Sequence, residues 1–119
     1  MATVKFRLNV SSSTVGPDNL DFTVEKLVTV TEPISNMSKA SVLTGADTIM
    51  LTTANVQSYL YVRNTDATNF VTVKNDAGNT LAILRAGEFS LFPVAATAGA
   101  GVRADTGTCI VEYGYWAVA

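Results

Sequence analysis

A hydrophobic alternation with a period of two constrains this sequence more than any other feature. Between Thr3 and Val10, an apolar side chain stands at every second position and a polar one stands between. Successive side chains of a β-strand point to opposite faces, so this pattern predicts a half-buried strand. The same period predicts further strands over Leu20–Val30, Thr48–Thr53, Ser58–Asn64, Asn69–Lys74, the segment around Leu81 and Ile83, Phe89–Phe92 and Thr108–Val118.

The alternation is imperfect in three places. In the second strand Lys26 takes an apolar position and Leu27 is out of phase, which predicts a β-bulge near Lys26. Residues 34–43 are compatible with either a short strand or a single helical turn. Residues 94–101 are small and predict a flexible loop, and residues 102–105 could pair briefly.

The spacing of the strands sets the fold class. About eight or nine short antiparallel strands recur every 8–12 residues or so, with Asn, Asp, Gly and Pro between them, which is typical of a β-sandwich or barrel. This spacing leaves no room for crossover helices. We therefore predict an all-β chain forming one domain over residues 1–119, with residues 1–10 as a candidate interface strand.

Groups that commonly carry catalysis are scarce. The chain has no histidine, and its one cysteine, Cys109, lies in an apolar strand where a thiol usually packs as a small hydrophobe. The carboxylates fall mostly in turns, and none forms an alternating calcium-binding run. We predict no enzymatic activity, no catalytic residue, no metal site and no cofactor.

The charge and hydropathy of the sequence limit the classes of partner that we expect. Only 15% of residues are charged, against about a quarter in ordinary domains, which favours burial against neighbouring proteins. The Lys and Arg residues are scattered, so we expect no nucleic-acid interface. The N-terminus lacks the apolar run of a signal peptide and no segment is long and apolar enough for a transmembrane helix, so we expect no membrane association.

The residues that remain as site candidates are aromatic or small. Strand aromatics such as Tyr59 and Trp116 fit a core or a protein interface, and alternatively a platform on which sugars stack. Glu112 fits an outward strand position, or alternatively an inter-subunit ion pair with Arg63 or Arg103. The predicted interface residues are Val4, Phe6, Tyr59, Tyr61, Ala95, Ala96, Ala98, Tyr115 and Trp116.

Residues 59–94 resemble a pattern in small virion proteins of tailed bacteriophages. A strand of the form Y-x-x-V-x-N ends at Asn64. It is followed by a hairpin, then by L-x-x-L-x-x-G-E ending at Glu88, and then by F-x-x-F-P ending at Pro93. The closing V-E-Y-x-Y segment, Val111–Tyr115, is similar to the last strand of such proteins.

The resemblance implies a jelly-roll-like β-sandwich in a virion assembled in the bacterial cytoplasm. It implies a capsid decoration (cement) protein, and alternatively a tail, fibre or baseplate component whose β-sandwich binds a carbohydrate or receptor. We expect a homo-oligomer, with a trimer favoured, that contacts the major capsid protein or other virion proteins. The family offers no catalytic residues to carry over.

Overall fold

The computed structural model describes residues 2–14, 20–31 and 37–119. Within these ranges the chain forms ten strands and no helix, so no helical segment of the described chain could span a membrane. The strands are β1 (Ala2–Ser12), β2 (Leu20–Val30), β3 (Ser38–Val42), β4 (Thr48–Leu51), β5 (Ser58–Asn64), β6 (Val71–Lys74), β7 (Thr80–Leu84), β8 (Phe89–Val94), β9 (Ala100–Ala104) and β10 (Cys109–Ala117).

Strands β3 to β10 form two four-stranded antiparallel sheets, in the orders β3-β10-β5-β8 and β4-β9-β6-β7. The pairs β6·β7, β5·β8, β4·β9 and β3·β10 are nested, as in one long hairpin rolled into two layers. This is the eight-stranded jelly roll, an architecture that packs two antiparallel sheets face to face. The predicted all-β sandwich is confirmed, with slightly more strands than the eight or nine expected.

The core lies between the two sheets and follows the period of two. Leu60 and Val62 of β5 face Val71 and Val73 of the opposite sheet, and all four side chains are inaccessible to solvent. Burial of one such side chain stabilises the fold by about 1.5–3 kcal/mol. Cys109 belongs to this core, as the sequence predicted.

Two segments are more regular than the sequence indicates. Within residues 34–43, whose conformation the sequence leaves open, residues 38–42 form β3, a short strand with Ala40 and Val42 directed inward. Residues 34–36 lie outside the described residues. Residues 100–104 form β9, so the predicted flexible loop is reduced to the turn 95–99. Both strands contain few large residues, which weakens their hydrophobic alternation.

Strands β1 and β2 form a separate two-stranded hairpin, which we call the arm. Their register runs without a shift from Ala2 opposite Val30 to Ser12 opposite Leu20. The predicted bulge near Lys26 is therefore wrong: Lys26 lies opposite Phe6 on the apolar face, and Leu27 lies exposed on the other face. The Glu32-Pro33 pair, from which the sequence predicts the end of this strand, lies outside the described residues.

Candidate interaction surface

The outward side of the sheet β3-β10-β5-β8, which we call the outer face, is rich in aromatic and aliphatic residues. The pairing register places Tyr61 beside Leu91 and places Tyr59 between Trp116 and Pro93. Phe89 and Leu91 remain 61% and 41% exposed. Because antiparallel sheets usually turn polar residues toward water, an outer face of this kind indicates contact with another surface.

The arm rests on this outer face at its base. The Phe6 ring stacks on Tyr59, with centroids 4.7 Å apart, and meets Trp116 edge-on at 5.4 Å. Trp116 in turn lies over Gly114, where an added Cβ would come within 3.3 Å of the indole and 2.9 Å of the Met37 sulfur. Glycine at 114 thus leaves room for the tryptophan that supports Phe6.

Backbone hydrogen bonds also join the base of the arm to the sandwich. The N–H of Thr31 donates to the carbonyl of Ala117, and the N–H of Ala119 donates to the carbonyl of Thr29, both at 3.0 Å. Val30 bridges Val118 between them and is fully buried. The end of β2 therefore continues the sheet next to the last residues of the chain.

The two faces of the arm differ sharply in polarity. On one face, Glu25 lies 3.7 Å from the Lys5 ammonium and 3.5 Å from the Arg7 guanidinium. These ion pairs are exposed, so each contributes at most about 1 kcal/mol. On the opposite face beyond Phe6 lie Leu8, Leu20, Phe22 and Val24, which are 41–56% exposed and which we call the distal face.

A groove lies between the arm and the outer face. Phe6, Met37, Tyr61, Leu91 and Trp116 line it, together with Lys5, Arg7 and Glu112 at its polar positions. The Tyr61 hydroxyl donates a hydrogen bond of 3.3 Å to Glu112. Partial burial raises the pKa of Tyr61, and the neighbouring Glu112 carboxylate raises it further.

Glu112 points outward from β10, between Lys39 of β3 and Arg63 of β5 in the pairing register. This agrees with the outward strand position considered from sequence. Arg103 lies in the other sheet, where its Nε contacts the Asp47 carboxylate at 2.7 Å.

The predicted interface residues therefore fall into two groups. Phe6, Tyr59, Tyr61 and Trp116 come together at the arm base, and Val4 is half-buried on the same face of the arm. The remaining four lie elsewhere: Ala95, Ala96 and Ala98 in the β8–β9 turn, and Tyr115 at the end of the sandwich.

The β8–β9 turn is held in place by Asn55. Its amide group donates to the carbonyl of Ala95 at 3.1 Å and accepts from the N–H of Gly99 at 3.1 Å. The carbonyl of Ala98 accepts from the N–H of Asp76. These bonds fix a compact turn in which Ala95 and Ala96 are exposed and Ala98 packs against the core.

The distal face and the β8 positions of the outer face were not predicted from the sequence. Phe22, Val24, Phe89 and Leu91 were assigned to strands but not proposed as interface residues. Period two shows that such residues share a face, but only the sheet order shows whether that face is covered. One feature of the sequence did point to the distal face. The apolar positions of β1 and β2 continue over nearly the whole length of both strands, while the other face of the pair carries charges.

Among the described residues, no group of three or more Cys, Asp and Glu side chains is close enough to hold a metal ion. The Cys109 thiol is buried, and desolvation raises its pKa, with a further contribution from the charge of Asp66. Comparison of the chain with known protein families, curated proteins and solved structures found no match.

Proposed function

We propose that this chain is a non-enzymatic structural protein of a bacteriophage virion, where it acts as a capsid decoration protein. In this role a homotrimer binds the major capsid protein and stabilises the shell through contacts between subunits. The observation that carries the structural role is the uncovered apolar surface of the arm. Exposing the four large apolar side chains of the distal face to water costs free energy, and the free energy falls when a neighbour covers them.

The low charge of the chain supports the same role. Because only 15% of the chain's residues are charged, its burial against neighbours removes few charged groups from water. Weak contacts repeated over many copies then add through multivalency, which suits a shell protein. The placement in a virion rests on the resemblance of residues 59–94 to small phage virion proteins.

The test is the stoichiometry and stability of purified particles. Quantitative mass spectrometry of virions that carry the chain should count hundreds of copies, and particles lacking it should release their genome at a lower temperature. A protein with the double substitution Phe22→Thr and Val24→Thr should bind such particles more weakly. The matched control Leu27→Thr, on the polar face of the arm, should bind as the unsubstituted protein does.

A count of a few copies per particle would instead favour the second candidate, a tail, fibre or baseplate component that binds a carbohydrate or receptor. That function needs aromatic faces open to a ligand. Phe6 already stacks on Tyr59 and contacts Trp116, which reduces the free aromatic surface at that position. Glycan binding that is lost when Tyr61 is changed to alanine would identify this candidate.

A further inference from the structure

We propose that the distal face of the arm in one copy docks on the outer face of a second copy, over Tyr61, Phe89, Leu91 and Pro93. We call these four residues the acceptor patch. This inference rests on the proposed structural function and specifies one contact by which subunits would recognise each other.

The distal face continues a contact that the arm already makes. The apolar side chains of β1 and β2 form one uninterrupted face apart from Lys26, and its base is covered by Tyr59 and Trp116 of the outer face. The same face then runs beyond the sandwich, where Phe22 and Val24 stay exposed. The aromatic side chains of the outer face thus already pack against this side of the arm within one chain.

The acceptor patch begins at Tyr61 and Leu91, which line the groove beside the chain's own arm, and extends along β8 to Phe89 and Pro93. Leu91 pairs with Tyr61, and Pro93 pairs with Tyr59 two residues farther along β8. Phe89 and Leu91 remain exposed while the arm is seated on its own sandwich. Each chain therefore carries two apolar surfaces that fit each other, the distal face and the acceptor patch, and neither is fully covered by the chain's own residues.

The acceptor patch favours docking through side chains over the addition of a strand. β8 lies at the edge of its sheet, and Pro93 removes one of the N–H groups that an added strand would need. The side chains of Phe89, Leu91 and Pro93 instead point out of the sheet plane toward the outer face. An arm laid across this face buries them without backbone pairing.

A donor and an acceptor at different places on one chain give a head-to-tail contact. Contacts of this type close into a ring when the rotation between copies permits, and a ring leaves no donor or acceptor free. A ring of three copies matches the trimer of the proposed function.

The test measures the mass of the purified full-length protein by sedimentation velocity and light scattering over a range of concentrations. The unsubstituted chain should assemble, and both Phe22→Thr/Val24→Thr and Leu91→Thr should weaken assembly at least tenfold. Threonine keeps strand propensity, so the variants should retain the fold, which circular dichroism checks. Leu27→Thr on the arm and Ile83→Thr on the other sheet, both exposed apolar residues, should assemble normally.

Mixing the two defective proteins separates this contact from arm-to-arm packing. The Leu91→Thr copy keeps a good arm, and the Phe22→Thr/Val24→Thr copy keeps a good acceptor patch. A head-to-tail contact predicts that the mixture forms a one-to-one dimer through the single intact junction. Normal assembly by Leu91→Thr alone would overturn the inference, since arms that pack on each other do not use the acceptor patch.

Two other results would also overturn it. One is a chain that stays monomeric at every concentration tested. The other is a Phe22→Thr/Val24→Thr variant of unchanged mass that loses flotation with phosphatidylcholine–phosphatidylglycerol vesicles, which would assign the distal face to lipid. Particle binding measured on the same proteins keeps the two proposals apart. A monomer that still decorates particles contradicts only the contact between copies.

Discussion

At the scale of single residues, the buried amide of Asn64 organises the connection between β5 and β6. Its Nδ2 donates to the carbonyls of Asn69 at 2.8 Å and Leu84 at 3.0 Å, and its Oδ1 accepts from the N–H of Asp66 at 3.0 Å. A fully buried polar side chain is tolerated here because its hydrogen bonds are made. The sequence marked Asn64 as the end of a strand, but its partners come from three separate positions that only the fold brings together.

Replacing Asn64 with alanine should lower the free energy of unfolding by about 2–4 kcal/mol, because it leaves three backbone groups without a hydrogen-bond partner and creates a small cavity. Urea unfolding at neutral pH measures this change. Asn79→Ala is the matched control, because Asn79 is exposed in a turn and its loss should change stability by less than about 0.5 kcal/mol. Equal effects of the two substitutions would contradict the role assigned to Asn64.

Asp66 gives this connection a dependence on pH. Its carboxylate accepts from the N–H of Asn69 at 2.7 Å and of Thr68 at 3.0 Å, and these bonds hold its pKa below the ordinary 3.8. A carboxyl with a lowered pKa in the folded state stabilises the fold above its unfolded-state pKa, and this stabilisation is lost as the pH falls.

The unsubstituted protein should therefore be more stable than Asp66→Asn at pH 7, and the difference should shrink below about pH 4 as the carboxyl becomes protonated. Urea unfolding of both proteins between pH 7 and pH 2.5 provides the measurement. Asparagine suits the comparison because its side-chain oxygen still accepts hydrogen bonds but does not titrate. Parallel pH profiles for the two proteins would show that the Asp66 charge makes no contribution.

At the scale of elements, strands with large inward residues were predictable and strands with small ones were less so. β5 and β10 alternate strongly and match their predicted ranges closely, because Leu60, Val62 and Val111 need burial wherever the sheet lies. β3 and β9 present mainly Ala and Val to the core, so period two is faint there. Lys26 wrongly indicated a bulge in the arm, because a long lysine side chain can lie on an apolar face and extend its ammonium to water.

Phe6 should control whether the arm stays on the sandwich. In Phe6→Ala the arm loses its stacking on Tyr59 and its edge contact with Trp116. This loss should weaken the attachment of the arm to the sandwich by about 1–2 kcal/mol. Trp116 is the only tryptophan, so its fluorescence should shift to longer wavelength as water reaches it. The N–H groups of Thr31 and Ala119, which join the arm to the sandwich, should exchange faster. Phe22→Ala, on the same face but away from Trp116, should leave the emission unchanged. Identical spectra for the Phe6→Ala and unsubstituted proteins would mean that the arm is not held by this contact.

At the scale of the whole molecule, the sequence predicted an all-β sandwich but not the order of its strands. Turn residues recur at short intervals along the sequence, so consecutive strands must be short and antiparallel. The nested pairing of β3 with β10 and β4 with β9 depends instead on contacts between distant segments, which local alternation does not record. The same limit applies to the surface: which apolar faces stay uncovered follows from the sheet order, so the distal face and the acceptor patch emerged only with the fold.

The nested order also predicts which part of the chain folds independently. Every residue of the buried core cluster lies between Val42 and Val111, and the arm contributes none. A chain of residues 37–119 should therefore unfold cooperatively. It should be less stable than the full chain, because it loses the hydrogen bonds that join residues 29 and 31 to residues 119 and 117. A peptide of residues 2–31 should show no stable strand structure, since an isolated two-stranded hairpin is at best marginal in water. Circular dichroism and urea titration of both pieces test this, and a 37–119 chain without a cooperative transition would show that the arm is part of the folding unit.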